Sequence, residues 1–197
     1  MAIITLNNNS LSSVTALPSA IPTGRMVQLA NSTASSVSSF SFEDTFTDDY
    51  KFYKIFIKDL YFTNPDIPVF NYLTSGSTAV TTGYFDSSDF SWKSSTADAS
   101  SSSGRWNGDD HTLAPTNTGT SIDNSMWCEL TLLNPRSTTI RRKAICLSGM
   151  YGNDSQFYTD HRSYFNTGVG TAFGGIKIKG NGSQTIGNIT ATVYGII

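Results

Sequence analysis

Two Asp–His neighbours carry the most reactive side chains in this sequence. His111 follows Asp109 and Asp110 in "WNGDDHT", and His161 follows Asp160 in "YTDHRSY". A carboxylate beside an imidazole can orient it, fix its tautomer or share a metal ion with it. These are the only histidines, and their spacing matches no metalloprotease, EF-hand or zinc pattern. Asp and His beside Gly and Asn are ordinary turn residues, so both pairs are expected in solvated loops, with no metal and no cofactor. Asp109, Asp110, His111, Asp160 and His161 are the first candidates should a cation bind. Nucleophilic catalysis needs a base beside a serine or thiol. No G-x-S-x-G elbow, P-loop or G-x-G-x-x-G motif occurs. Glu43, Asp44, Asp48 and Asp49, then Asp86 and Asp89, fall in turn-like stretches. Solvation accounts for them better than a glycosidase carboxylate pair does. No catalytic residue is assigned, and the chain is read as not an enzyme.

Cys128 and Cys146 sit in apolar, strand-like runs and match no metal spacing. A pair of reduced core thiols is the expected reading, with a disulfide between neighbouring strands as the alternative. Aromatic residues gather in two places: Tyr84, Phe85, Phe90, Trp92 and Trp106, then Tyr151, Phe157, Tyr158, Tyr164 and Phe165. Rings set among Asn, Asp and Ser are what a sugar-binding surface uses. Packing under loops or at subunit contacts is the competing account. Tyr84, Trp92, Trp106, Tyr158 and Tyr164 are the candidate glycan-facing rings. Arg136, Arg141, Arg142 and Lys143 in "PRSTTIRRK" read as a solvated face or a charge-pairing edge.

The elements that must position these residues have a period of two. Tyr53, Ile55 and Ile57 alternate with Lys54, Phe56 and Lys58, and Met126, Cys128, Leu130 and Leu132 share one face. Ala144 and Cys146, Ile176 and Ile178, then Ile189, Ala191 and Val193 repeat the pattern. Half-buried strands read this way. "TNPDIP", "LNPRST", "YGND" and "KGNGS" mark turns, and Asn181-Gly182 is a hairpin signal. No helical stretch of ten residues or more intervenes, which predicts an all-β fold: an antiparallel sandwich or jelly roll over residues 35–197. The last strand alternates, so one face is expected to be buried; if it is central, ladder hydrogen bonds hold it on both sides, with Ile196 and Ile197 closing the core or touching a neighbouring subunit. "SSTADASSSSG", from Ser94 to Gly104, reads as a flexible, exposed loop.

Residues 1–34 differ from the rest. Arg25 is their only charge, Pro18 and Pro22 prevent a long helix, and the apolar side chains lack the length for a core. The segment is expected to be an extended attachment arm, with Leu6, Leu11, Val14, Leu17, Ile21 and Arg25 as its partner-binding residues. Charged residues make up 14% of the chain and hydrophobic ones 38%. The first figure is well under the ~25% usual in globular proteins. The net charge of -2 gives no electrostatic basis for binding nucleic acid or an anionic membrane. No run approaches the ~20 apolar residues of a membrane helix. The start has no basic n-region, so synthesis in a cytoplasm is expected. The Asn-X-Ser/Thr sites at Asn8, Asn31, Asn153, Asn181 and Asn188 then follow from composition.

Four stretches carry a resemblance. "LNNNSLSSVTALPSAIPTGRMVQL" resembles the start of small structural proteins of tailed bacteriophages, marine and cyanobacterial ones especially. "FEDTFTDDYKFYKIFIKDLYFTNPDIPVFNYLTSG" is similar to the strand pair that follows in that group, and "LLNPRSTTIRRKAICLSGMY" to its Asn-Pro turn. "IKIKGNGSQTIGNITATVYGII" is similar to endings common in phage fibre and virion proteins. The resemblance implies a sandwich or jelly-roll module in a symmetric assembly, located in the virion and anchored by its arm. The expected partners are other copies of the chain, as a homotrimer, and capsid or tail proteins. The expected role is capsid decoration (a cement protein) or attachment. The alternative is a tail-fibre or receptor-binding tip that takes host surface glycan, and a polysaccharide-degrading enzyme comes third.

Overall fold

Alternating side chains become two antiparallel sheets. The computed structural model describes residues 26–74, 76–80, 84–93, 99–107, 110–152, 156–166 and 170–197. They form β1 (Met26–Val37), β2 (Ser39–Phe42), β3 (Phe52–Phe62), β4 (Pro68–Leu73), β5 (Tyr84–Lys93), β6 (Ala99–Asn107), β7 (His111–Thr112), β8 (Met126–Leu133), β9 (Lys143–Tyr151), β10 (Phe157–Asn166), β11 (Gly175–Gly180) and β12 (Ile186–Ile196). The larger sheet has eight strands in the order β1-β12-β3-β8-β9-β10-β5-β6, and the smaller has four in the order β2-β11-β4-β7. The expected all-β, antiparallel architecture is what the chain adopts.

Strand β3 shows how the pattern makes a surface. Tyr53, Ile55 and Ile57 point inward, and Lys54, Phe56 and Lys58 point outward. Asp59 then takes a φ of 58°, and the register with β8 slips between Ile57 and Leu60. The inserted residue moves the buried set to Leu60 and Phe62 without breaking the strand. Opposite these side chains, Phe40, Phe42, Phe70, Tyr72, Ile176 and Ile178 of the smaller sheet complete one shared core.

One carboxylate ties the turns at one end. Asp66 Oδ1 accepts the Ile67 N–H at 2.8 Å and the Gly182 N–H at 2.9 Å, and Oδ2 accepts the Gln184 N–H at 3.1 Å. The Asp66 carbonyl accepts the Thr118 N–H at 2.9 Å. The turn at Asn181-Gly182 is therefore not a hairpin, as its dipeptide suggested. It carries the chain from β11 in one sheet to β12 in the other.

Four further expectations change. Residues 26–34, expected in the arm, belong to β1, so the boundary at residue 34 falls inside a paired strand. Ala99–Gly104, expected in a loop, pair with β5 as part of β6. Strand β12 is central, between β1 and β3. Ile197, however, is 71% exposed and does not close the core. Arg142, expected on a solvated face, is 2% exposed, with its guanidinium 4.2 Å from the Phe173 ring centroid. A planar cation can exchange water for an aromatic face.

Candidate functional site

Strand pairing separates the chemistry-bearing residues. His111 lies on β7 at 4% exposure, not in a solvated loop. Its ring packs against Phe70, Tyr72 and Tyr164, with centroids 4.7, 5.8 and 5.4 Å away. Burial lowers its pKa to about 3, against a smaller opposing pull from Asp110. It is therefore a neutral ring at any physiological pH. Asp110 itself accepts Asn71 Nδ2 at 2.6 Å and pairs with Lys179 Nζ at 3.0 Å. Asp109 lies outside the described residues.

The second Asp–His pair diverges for a simple reason: successive side chains on a strand point to opposite faces. Asp160 on β10 turns inward and is paired with the Arg162 guanidinium, whose Nη1 donates to Thr112 Oγ1 at 2.6 Å. His161, the next residue, is exposed on the outer face. Among the described residues no group of three His, Cys, Asp or Glu side chains converges to hold a metal.

The glycan-facing aromatics divide as well. Tyr158 and Tyr164 turn into the core at 9% and 4% exposure and present no ring to a ligand. The Tyr164 hydroxyl donates to the Thr112 carbonyl, and burial pushes its pKa well up. Tyr84, Trp92 and Trp106 stand on β5 and β6, but their side chains lie outside the described ones. The arm residues Leu6, Leu11, Val14, Leu17, Ile21 and Arg25 also lie outside the described residues.

The structure instead draws attention to the outer face of the larger sheet. Phe52 and Phe56 on β3, Trp127 on β8, Ile145, Leu147 and Tyr151 on β9, and Phe157 on β10 are all large, apolar and exposed. Register makes several of them neighbours. Trp127 is opposite Gly149, and Tyr151 is opposite Phe157. Gly149 has the smallest possible side chain for a reason: a methyl there would come within 2.4 Å of the Trp127 indole nitrogen. The indole thus lies on the backbone of β9 and is still 45% exposed. Lys54 and Glu129 pair beside it, and Phe56 meets Tyr194 edge-on with ring centroids 5.8 Å apart. The face can stack flat ligands and bury apolar partners around the charges of Lys54, Lys58, Glu129 and Lys143.

Of these seven residues, only Tyr151 and Phe157 fall within the two aromatic clusters of the sequence. The available signal was the outward phase of the strands. In β9 both phases are apolar, with Ala144 and Cys146 inward and Ile145 and Leu147 outward. No family model matches the chain, and no curated protein or solved structure matches it either.

Proposed function

We propose that this chain is a non-enzymatic structural module of a phage virion, a surface decoration or attachment component joined to its neighbours by protein–protein contact. The observation that carries this reading is the outer face of the larger sheet. Seven large apolar side chains on that face are each more than a third exposed. Exposed apolar side chains grouped as those of Trp127, Leu147, Tyr151 and Phe157 mark a contact site, and closed symmetric assemblies are the usual way to cover it. The virion setting rests on the resemblance of the four sequence stretches. The partners are other copies of the chain, as a trimer, and capsid or tail proteins. On this reading the nearly uncharged N-terminal arm, with Arg25 its only charge, anchors the chain through shallow contacts that symmetry would multiply into avidity.

Light scattering on the purified chain, with cryo-EM localisation on particles, tests the reading. The expected result is a closed oligomer that Trp127→Ser and Leu147→Lys dissociate without unfolding the subunit. A monomer at micromolar concentration, with no self-contact on particles, would sink it. The second reading, a tip that binds host glycan, is favoured by one feature. An indole held flat on a strand, beside Tyr151 and Phe157, is the geometry a pyranose ring stacks on. A glycan array separates the two, since only the second reading expects binding that Trp127→Ser abolishes.

A further inference from the structure

Cys128 and Cys146 are both free and almost wholly buried, at 1% and 0% exposure. They lie on neighbouring strands of the larger sheet, where register sets Cys128 opposite Ser148 and Cys146 opposite Leu130. The cysteines are therefore diagonal neighbours on the inner face, and their Sγ atoms approach to 3.2 Å. Cys146 Sγ also donates to the Leu113 carbonyl at 3.7 Å. With that hydrogen committed, the Cys128 thiol is the donor between the two sulfurs. The result is a short relay, from Cys128 to Cys146 to Leu113, that links the larger sheet to the residue following β7 of the smaller one.

We propose that this pair is a latent disulfide, a covalent modification site that stays reduced during synthesis and closes when the protein meets an oxidant. A two-electron acceptor such as a diazene, or a disulfide such as oxidised glutathione, drives the step. Each thiol loses its proton, the two sulfurs give up two electrons in total, and one S–S bond forms. A diazene takes up both electrons and both protons to become a hydrazine. Oxidised glutathione instead becomes two reduced glutathione molecules. The sulfurs have roughly 1.2 Å to close to reach bonding distance, and diagonal positions require the strands to draw together slightly. The S–H···O link to Leu113 is lost, and a weld between β8 and β9 replaces it. That weld closes the loop from Cys128 to Cys146, including the Asn134-Pro135 turn, and so restricts the unfolded chain. The chemistry is independent of the proposed function. Only its setting, transfer from a reducing cytoplasm to an oxidising exterior, rests on the virion reading.

The test uses the purified full chain in two arms. One arm treats the folded protein with the diazene diamide, and the other refolds it from urea in an oxidised-glutathione buffer, so burial of the thiols cannot hide the reaction. Denaturing alkylation and intact mass then count the free thiols. The expected result is a monomeric chain lighter by two hydrogens, with neither thiol alkylated. Its melting temperature should be higher by roughly 5–10 °C, and dithiothreitol should reverse the change. Cys128→Ala and Cys146→Ala should show no such oxidant-dependent rise. Two alkylatable thiols after both arms, or links only between chains, would overturn the pairing. An oxidised form that melts no higher than the reduced one would overturn the stabilising weld. None of these outcomes depends on whether the chain joins a particle.

Discussion

A single carboxylate holds three backbone N–H groups at Asp66, and this sets the first expectation. Charge-assisted bonds to backbone donors are the strong ones, and each buried donor left without a partner costs free energy. Asp66→Ala should lower stability by roughly 3 kcal/mol in urea unfolding, and Asp66→Asn by less. A loss under about 1 kcal/mol for Asp66→Ala would mean that water replaces the carboxylate. His111 sets the second. Its pKa falls from 6.5 to about 3 on folding. Between those values the unfolded chain binds a proton that the native chain refuses. Stability therefore falls as pH drops below 6.5, by up to about 1.4 kcal/mol for each unit. It rises again with pH and is fully present above that window. Comparing the acid sensitivity of the wild type with that of His111→Phe isolates this contribution from the carboxylates. Equal sensitivity in the two chains would disprove it. Neither residue's role was legible in the sequence. Asp66 sits in "TNPDIP", where any turn acid looks alike, and its partners at Gly182 and Gln184 lie more than a hundred residues away. His111 and Arg142 stand among polar neighbours in sequence, and only tertiary aromatic rings make a place for them.

Strands were legible where large apolar residues alternate with polar ones, as in β3, β8, β11 and β12. They were illegible where small polar residues build them. Strand β6 begins Ala-Ser-Ser-Ser-Ser-Gly, and its side chains carry no hydrophobic phase. What makes it a strand is pairing with β5, which one sequence does not display. The same applies to β1, whose twelve residues include no charge and many Ser, Thr and Ala. Its attachment is visible only in the register with β12, where Thr33 and Thr190 hydroxyls meet at 3.0 Å. This placement separates two truncations. Removing residues 1–25 should leave all twelve strands able to form. Removing 1–34 should strip most of β1 from β12 and bare Ile189, Ala191 and Val193, costing roughly 3–5 kcal/mol. Circular dichroism melts of the two chains make the comparison, and equal melting temperatures would show that β1 contributes nothing to the fold.

At the scale of the molecule, the larger sheet has two apolar faces with different duties. Leu130 of β8 faces the core and is fully buried, whereas Trp127 on the same strand faces outward. Leu130→Ala should cost about 2–5 kcal/mol. Single replacements of Leu147 or Phe157 by Ser should change subunit stability by only about 0.5 kcal/mol while weakening self-association. Denaturant melts read against light scattering make that distinction. If the outer replacements destabilise the subunit as much as Leu130→Ala does, that face belongs to the fold and is no contact surface. The position of β12 has a consequence for how the molecule is made. Among the described strands the latest in sequence is the one that must slide between the first and the third. Until then β1 lacks its only paired neighbour among the described strands, and β3 can pair only with β8. The larger sheet therefore cannot be completed until β12 has been made. Until β12 arrives, β1 and one edge of β3 stay unsatisfied, and the yield of folded protein depends on how well the cell shields them in that interval.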